Sequence, residues 1–225
     1  MRYLLVLFLS FQLYGVESGK ITAKYSVEDV PKKMSVETKK ARFFYLLVPP
    51  ISKVYSELMQ EFLEVQADIN QKRVTPKILH LKQKYKVESD HDLLLALKPH
   101  PKSIALAQAA MESAWATSRF FVEANNAFGM WSVSSQDNRV AAKEKRDGKR
   151  TIWLKKYVNL EASVRAYYET MGRAKIYKKF REYRYESDDV FKIIKGLNNY
   201  SELGEAYVVA IASMIRYNKL TKYDD

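Results

Sequence analysis

Residues 103–118 read Ser103-Ile104-Ala105-Leu106-Ala107-Gln108-Ala109-Ala110-Met111-Glu112-Ser113-Ala114-Trp115-Ala116-Thr117-Ser118, sixteen positions with a single charge at Glu112. Ile104, Ala107, Met111 and Trp115 fall on one helical stripe, and Ala105, Ala109 and Ala110 cover other sides. A helix apolar nearly all round belongs at the centre of a bundle, with neighbours on every side. The spacing therefore predicts a central helix through the whole stretch. A lone carboxylate there, just off the main stripe, is costly to bury unless it is paired or put to use. Desolvation would raise its pKa and hold the proton near neutral pH, which a general acid requires. From these residues alone two readings stay open: a buried acid held by backbone donors or an arginine, and a catalytic acid.

Downstream, Asn125-Asn126-Ala127-Phe128-Gly129-Met130-Trp131 interleaves amides and a glycine with aromatics. That mixture suits a tight loop facing a sugar, and equally a turn with buried aromatic anchors. Residues 139–157 read as a β-hairpin, with a two-residue turn at Asp147-Gly148 and strand character in Thr151-Ile152-Trp153-Leu154. That turn sets Glu144 opposite Thr151, with Trp153 diagonal on the same face. Asn159 is placed to cap a helix carrying Val164, Tyr167, Tyr168 and Met171. A Tyr-, Lys- and Arg-rich link follows from Tyr177 to Tyr185, then Val190 to Leu197. A last helix from about Glu205 carries Val208, Ile211, Ala212 and Ile215.

Upstream, Phe43-Phe44-Tyr45-Leu46-Leu47-Val48 is apolar, and Pro49-Pro50 is read as ending that run and starting a new helix. Ile51, Val54, Tyr55, Leu58, Phe62, Val65 and Ile69 form its stripe. Thr75-Pro76 caps a helix running to about Tyr85, and a short Leu-rich turn spans Asp92 to Leu97. Arg2 followed by the apolar run Tyr3–Leu9 reads as a signal peptide over residues 1–18, with an uncleaved anchor as the alternative. Either way the body of the protein is expected outside the cytoplasm. The division that results is a polar leader over 19–41, an N-terminal helical subdomain over 42–100 and a second domain over 101–225.

Glycines number 7 and prolines 6 in 225 residues, too few for a many-turned β-sandwich, a collagen-like chain or a Gly/Pro-rich disordered one. One hairpin among many helices gives an α+β, predominantly helical class. With no cysteine, disulfides, thiolate metal sites and cysteine nucleophiles are excluded. Three scattered histidines leave little for a zinc site or a triad, so the chemistry falls to carboxylates, hydroxyls or cations, with no metal or organic cofactor expected. The net charge of +12 points to an anionic polymer or surface. Export favours cell-wall polymers or anionic lipid over nucleic acid.

The stretch from Ala107 to Phe120, with Asn125 to Met130, closely resembles the signature of the bacterial glucosaminidases of glycoside hydrolase family 73, which include the peptidoglycan-cleaving domain of FlgJ. The Arg42-to-Leu58 helix and the Tyr207-to-Leu220 end look like those of the Bax proteins of Gram-negative bacteria. The resemblance runs from about residue 42 to the C-terminus. It implies a lysozyme-like fold, with a central catalytic helix beside a small β-hairpin lobe. It further implies a periplasmic endo-β-N-acetylglucosaminidase that acts on peptidoglycan strands as a monomer. Peripheral membrane contact is compatible with this, and nucleic acid is not a partner.

The family acid maps onto Glu112, and the hairpin carboxylate of a Glu-x-x-x-Gly context maps onto Glu144 and Gly148. The cleft tyrosine falls on Tyr207, with Tyr200 as the neighbouring candidate. Asn126 and Phe128 match the loop residues, and Trp115, Trp153 and Tyr200 complete the expected sugar contacts. If Glu144 activates water, the two carboxyls should lie about 6.5–9.5 Å apart or more. The alternative uses the substrate's acetamido oxygen, with Glu144 as helper. A lytic transglycosylase or N-acetylmuramidase on the same fold, or a wall-binding protein without turnover, are the competing functions. Two departures from the family stand out. Ala114 and Ala116 replace glycines beside the tryptophan, where the helix is expected to stay intact. Tyr200-Ser201-Glu202-Leu203-Gly204 replaces the usual Tyr-Ala-Thr-Asp-Pro box.

Overall fold

The computed structural model describes residues 24–146 and 150–225, with backbone alone for 143–146 and 150. The expected signal peptide over 1–18 and the expected turn at Asp147-Gly148 lie outside the described residues. In order the elements are α1 (Val36–Asn70), α2 (Pro76–Tyr85), α3 (Asp90–Leu97), α4 (Lys102–Glu112), α5 (Arg119–Ala124), β1 (Arg139–Arg146), β2 (Arg150–Lys155), α6 (Leu160–Arg173), α7 (Lys178–Glu186), α8 (Val190–Ile193) and α9 (Glu205–Tyr217). Short 3-10 turns occupy Lys175–Tyr177, Ile194–Leu197 and Leu220–Tyr223. The class is α+β and predominantly helical, with one two-stranded antiparallel sheet among the described residues.

Ser35 starts α1, its hydroxyl accepting from the Thr38 N–H at 3.1 Å. The helix begins upstream of Arg42 and passes straight through Pro49 and Pro50, so the expected break is not there. The two prolines leave the Tyr45 and Leu46 carbonyls without their helical donors, at about 3 kcal/mol for each interior proline. On the other side, Phe43, Leu47, Ile51 and Val54 are all at 0% exposure. Burial of such side chains stabilises by roughly 1.5–3 kcal/mol each, and an unbroken helix keeps them on one stripe. The burial wins. The first half of α1 packs into the main core with α4, α6 and α9, and its second half, Phe62 and Val65, into a smaller core with α2 and α3.

Thr75 and Pro76 open α2 as the sequence suggests, with the Ile78 N–H donating to the Thr75 hydroxyl at 3.3 Å. The Leu-rich turn is a full helix, α3, capped by Ser89. The Tyr177–Tyr185 link is mostly helix α7. Its buried Arg184 donates to the Leu95 and Ala96 carbonyls at 2.6 and 3.1 Å, among the last carbonyls of α3 that lack helical donors. Burial pulls the Arg184 pKa down to about 9.

The central helix is shorter than its periodicity implies. α4 stops at Glu112, and Ala114, Trp115 and Ala116 follow with φ of 51°, 62° and 63°. Trp115 thus leaves the helical stripe and packs edge-on against Phe43 and Phe44 of α1, with centroids 5.0 and 6.1 Å away. Left-handed backbone costs about 1–2 kcal/mol per non-glycine residue, so the surroundings must hold it. They do so with polar bonds. Ser113 Oγ donates to the Ala109 carbonyl and accepts from the Ala116 N–H at 2.8 Å, while the Trp115 N–H reaches the Ala110 carbonyl at 2.8 Å. Arg42 of α1, fully buried, donates to the Ala116 carbonyl at 2.6 Å. Here glycine would be at ease and alanine is not, so the replacement of the family glycines matters to stability. Ala114 is exposed. Ala114→Gly is expected to stabilise the chain by about 1 kcal/mol, read from the midpoint of urea unfolding.

The hairpin forms where expected, but its register differs. Arg146 pairs with Arg150, which places three residues between the paired positions rather than two. Lys145, not Glu144, lies opposite Thr151, and the ladder is irregular between Ala141 and Lys145. The extra residues in β1 place Glu144 in a bulged segment, outside the expected pairing. Asn159 caps α6 through the Ala162 N–H at 2.9 Å, and Val208, Ile211 and Ile215 bury the inner side of α9.

Candidate active site

The site is built where α4 ends. Glu112 is the last residue of that helix, so its carboxyl stands at the negative end of the macrodipole, which disfavours ionisation. The sequence suggested a buried acid inside a longer helix. Because the helix stops at Glu112, the side chain is instead open to solvent on one side. On the other it is enclosed. A Cβ placed on Gly129 would stand 3.6 Å from Glu112 Oε2, and the Tyr207 hydroxyl of α9 donates to Oε1 at 3.2 Å. Desolvation pushes the Glu112 pKa up and the Tyr207 bond pulls it down, with desolvation the larger, so the net direction is upward. That is the direction a proton donor needs.

Tyr207 is 2% exposed, and burial pushes its phenol far above the ordinary value, so it is a fixed donor. Tyr200 stacks on Tyr207 with centroids 5.1 Å apart and planes 14° apart, and Tyr177 stacks on Tyr200 at 5.8 Å. Of the two candidate tyrosines, Tyr207 is bonded to Glu112 and Tyr200 lies behind it.

Other expected contacts have different work. Asn126 is buried and its amide is spent on backbone: Nδ2 donates to the Met130 and Lys155 carbonyls at 3.0 and 2.9 Å, and Oδ1 accepts from the Met130 N–H at 2.9 Å. It ties the loop carrying Gly129 to the base of the hairpin. Phe128 is buried against Tyr167, ring on ring at 3.8 Å. Trp115 faces α1, with Lys40 Nζ 5.3 Å from its ring centre. Trp153 is half-buried under the Arg139 guanidinium, 4.3 Å from its centre, and pairs with Ala141. The hairpin is held to α5 by Arg119, which donates to the Ala141 carbonyl at 2.7 Å. The backbone of Glu144 lies in β1.

Three residues that the sequence reading passed over join the site from behind. Gln108 Nε2 donates to the Tyr207 hydroxyl at 3.1 Å, Tyr167 donates to Gln108 Oε1, and His100 Nε2 meets the Tyr167 hydroxyl at 2.9 Å. Gln108 carried a signal. It is polar in an otherwise apolar run and sits one helical turn before Glu112, on the same face. Among the described residues no group of three or more His, Asp or Glu could hold a metal ion, and no helix is long and apolar enough to cross a membrane.

Residues 94–220 match the family model Glucosaminidase, described as mannosyl-glycoprotein endo-beta-N-acetylglucosaminidase. Among solved structures the chain is similar to the catalytic domain of the autolysin Auto from Listeria monocytogenes. That likeness has a TM-score of 0.53 at 16% identity, covering 86% of this chain and 92% of that one. A peptidoglycan hydrolase from Sphingomonas sp. A1 aligns with a TM-score of 0.44 at 19% identity, over 64% of this chain and 85% of that one. The glycoside hydrolase domain of FlgJ from Salmonella typhimurium aligns with a TM-score of 0.42 at 20% identity, over 62% and 93%. No curated protein sequence matches the chain. Auto shares the fold, a lysozyme-like arrangement of helices with a small sheet. The family match covers more than half of the chain and contains α4, Glu112, the Gly129 loop, the hairpin and Tyr207: the chain belongs to the glucosaminidase family of glycoside hydrolases.

Proposed function

We propose that the chain is a peptidoglycan hydrolase that cleaves the β-1,4 bond after N-acetylglucosamine, with Glu112 as the general acid. The observation that carries this reading is Glu112 itself, desolvated at the end of α4, held at Oε1 by Tyr207 and with Oε2 beside Gly129. As the glycosidic bond opens, the Glu112 proton passes to the leaving oxygen, leaving a carboxylate that Tyr207 stabilises. Glu144, on the hairpin, activates the attacking water from the other side of the sugar, or assists the substrate's acetamido group if that oxygen attacks first. The net charge of +12 suits a wall polymer with acidic peptide stems.

In this proposal the protein is exported to the periplasm by its N-terminal segment, acts as a monomer, and is of the Bax type within the family. Residues 101–225 carry the chemistry, and 42–100 form the helical part that backs them. The test is digestion of purified sacculi with the wild-type and Glu112→Gln proteins, read by mass spectrometry. Fragments with N-acetylglucosamine at the reducing end, absent with the variant, are expected. Anhydromuramic ends would mean a transglycosylase, and no fragments from either protein would favour wall binding without turnover.

A further inference from the structure

Between Glu112 and the buried His100 every hydroxyl hydrogen is assigned by counting donors. Tyr167 has one hydroxyl hydrogen, and it goes to Gln108 Oε1. Its contact with His100 Nε2 at 2.9 Å must then be an imidazole N–H donating to the Tyr167 oxygen. Among the described residues His100 Nδ1 has no partner. A buried acceptor without a donor is tolerated better than a buried N–H without an acceptor, so this second count also puts the single imidazole proton on Nε2. On the far side Gln108 Nε2 donates to the Tyr207 oxygen at 3.1 Å, and the one hydrogen of Tyr207 goes to Glu112 Oε1 at 3.2 Å. All the donors point the same way, towards Glu112.

We propose that His100, Tyr167 and Gln108 are positioning residues that fix which oxygen of Glu112 carries the acid proton. Oε1 is engaged as the acceptor of Tyr207, so the proton resides on Oε2, the oxygen facing Gly129. The reversed chain would need Gln108 flipped, Tyr207 donating to Gln108, and the Glu112 proton on Oε1, turned into the protein. It would also strand an N–H at His100 Nδ1. The forward direction serves both halves of the reaction, since Tyr207 donates to Oε1 before and after the proton leaves, and nothing must reorient.

The groups that face each end agree with this. Glu112 is faced by Tyr207 from α9, by Tyr200 and by Tyr177 from the 3-10 turn, all phenols with raised pKa values. His100 is faced by Tyr167 and Tyr168 of α6 and by Phe180 and Arg184 of α7. Burial, with a smaller push from Arg184, keeps the imidazole neutral, so it has one proton to place. The inference rests on Glu112 being the acid, and the first measurement below does not depend on activity.

In the full chain, imidazole nitrogen NMR is expected to show His100 neutral with the proton on Nε2; a proton on Nδ1 would overturn the relay. The second measurement follows kcat and KM against pH for Gln108→Met, Tyr207→Phe and the double variant, on soluble glycan strands. Gln108→Met is expected to lower kcat about tenfold, one neutral hydrogen bond's worth, with KM unchanged and the alkaline limb moved upward. In the Tyr207→Phe background the same change is expected to cost nothing more. Equal losses in both backgrounds, or an unmoved alkaline limb, would overturn the proposal. Should Gln108→Met not fold, Tyr167→Phe breaks the same link, keeps the ring stacked on Phe128, and carries the same expectations. Full activity of Glu112→Gln would sink the acid reading instead, leaving the His100 tautomer to be judged by NMR alone.

Discussion

Glu112→Gln is expected to slow glycan cleavage about a thousandfold, measured as release of new reducing ends at saturating substrate. The amide matches the carboxyl in size and keeps an oxygen for the Tyr207 hydroxyl, but it has no proton to give. The structure also fixes what happens to stability. The folded pKa of Glu112 is raised, so the ionised form is less favoured in the folded chain than in the unfolded one. Folding therefore loses free energy as pH rises through the unfolded value towards the folded one. The Gln variant escapes this loss. It is expected to melt slightly higher than wild type at neutral pH and at the same temperature below the ordinary carboxylate range, so lost activity and gained stability appear together. Glu144→Gln separates the two mechanisms. A loss close to that of Glu112→Gln means water activation by Glu144, and retention of most activity means attack by the acetamido oxygen.

Arg42→Met is expected to destabilise the chain by about 3 kcal/mol, read from urea unfolding, because one guanidinium serves four carbonyls. Arg42 Nη1 donates to Ala116 at 2.6 Å, Nη2 to Ser26 and Val27 at 2.7 and 2.9 Å, and Nε to Asp29 at 3.2 Å. Burial lowers its pKa, with Asp29 and Glu28 opposing, yet a guanidinium stays charged at any pH the fold meets. Removing it leaves the buried Ala116 carbonyl without a donor and releases segment 26–29. Catalysis should fall as well, since the left-handed turn at Ala114–Ala116 directly follows Glu112. Lysine fits the charge but not the fork, so Arg42→Lys is expected to recover little.

The helices with strong periodicity and clean caps were legible from the residues. Thr75-Pro76, Asn159 and the stripe from Ile51 to Val65 mark real elements because local chemistry and burial agree there. Where a distant partner decides, local reading fails. Pro49-Pro50 announce a break that the buried stripe of α1 overrides. Trp115 continues the α4 periodicity, yet docking on Phe43 and Phe44 and the pull of Arg42 on Ala116 end the helix before it. Glu112 stands out as the lone charge of its stretch and Tyr207 is singled out through the family resemblance, and the bond between them is a fact of three dimensions. Asn126 and Phe128 of the motif build the loop, one bonded to backbone and the other stacked on Tyr167. His100 and Tyr167 gave no local sign at all, being far apart in the chain and joined only where α6 packs against α3 and the link that follows it.

α1 carries one unbroken stripe into two hydrophobic clusters, Phe43 to Leu58 in one and Phe62 with Val65 in the other. A helix advances about 100° with each residue. One residue gained or lost between Leu58 and Phe62 would therefore turn one end of the stripe out of phase with the other, and no repacking of side chains could satisfy both clusters. The length of that helix is locked by angle rather than by reach, and the chain can drift in sequence along α1 far more freely than it can drift in spacing.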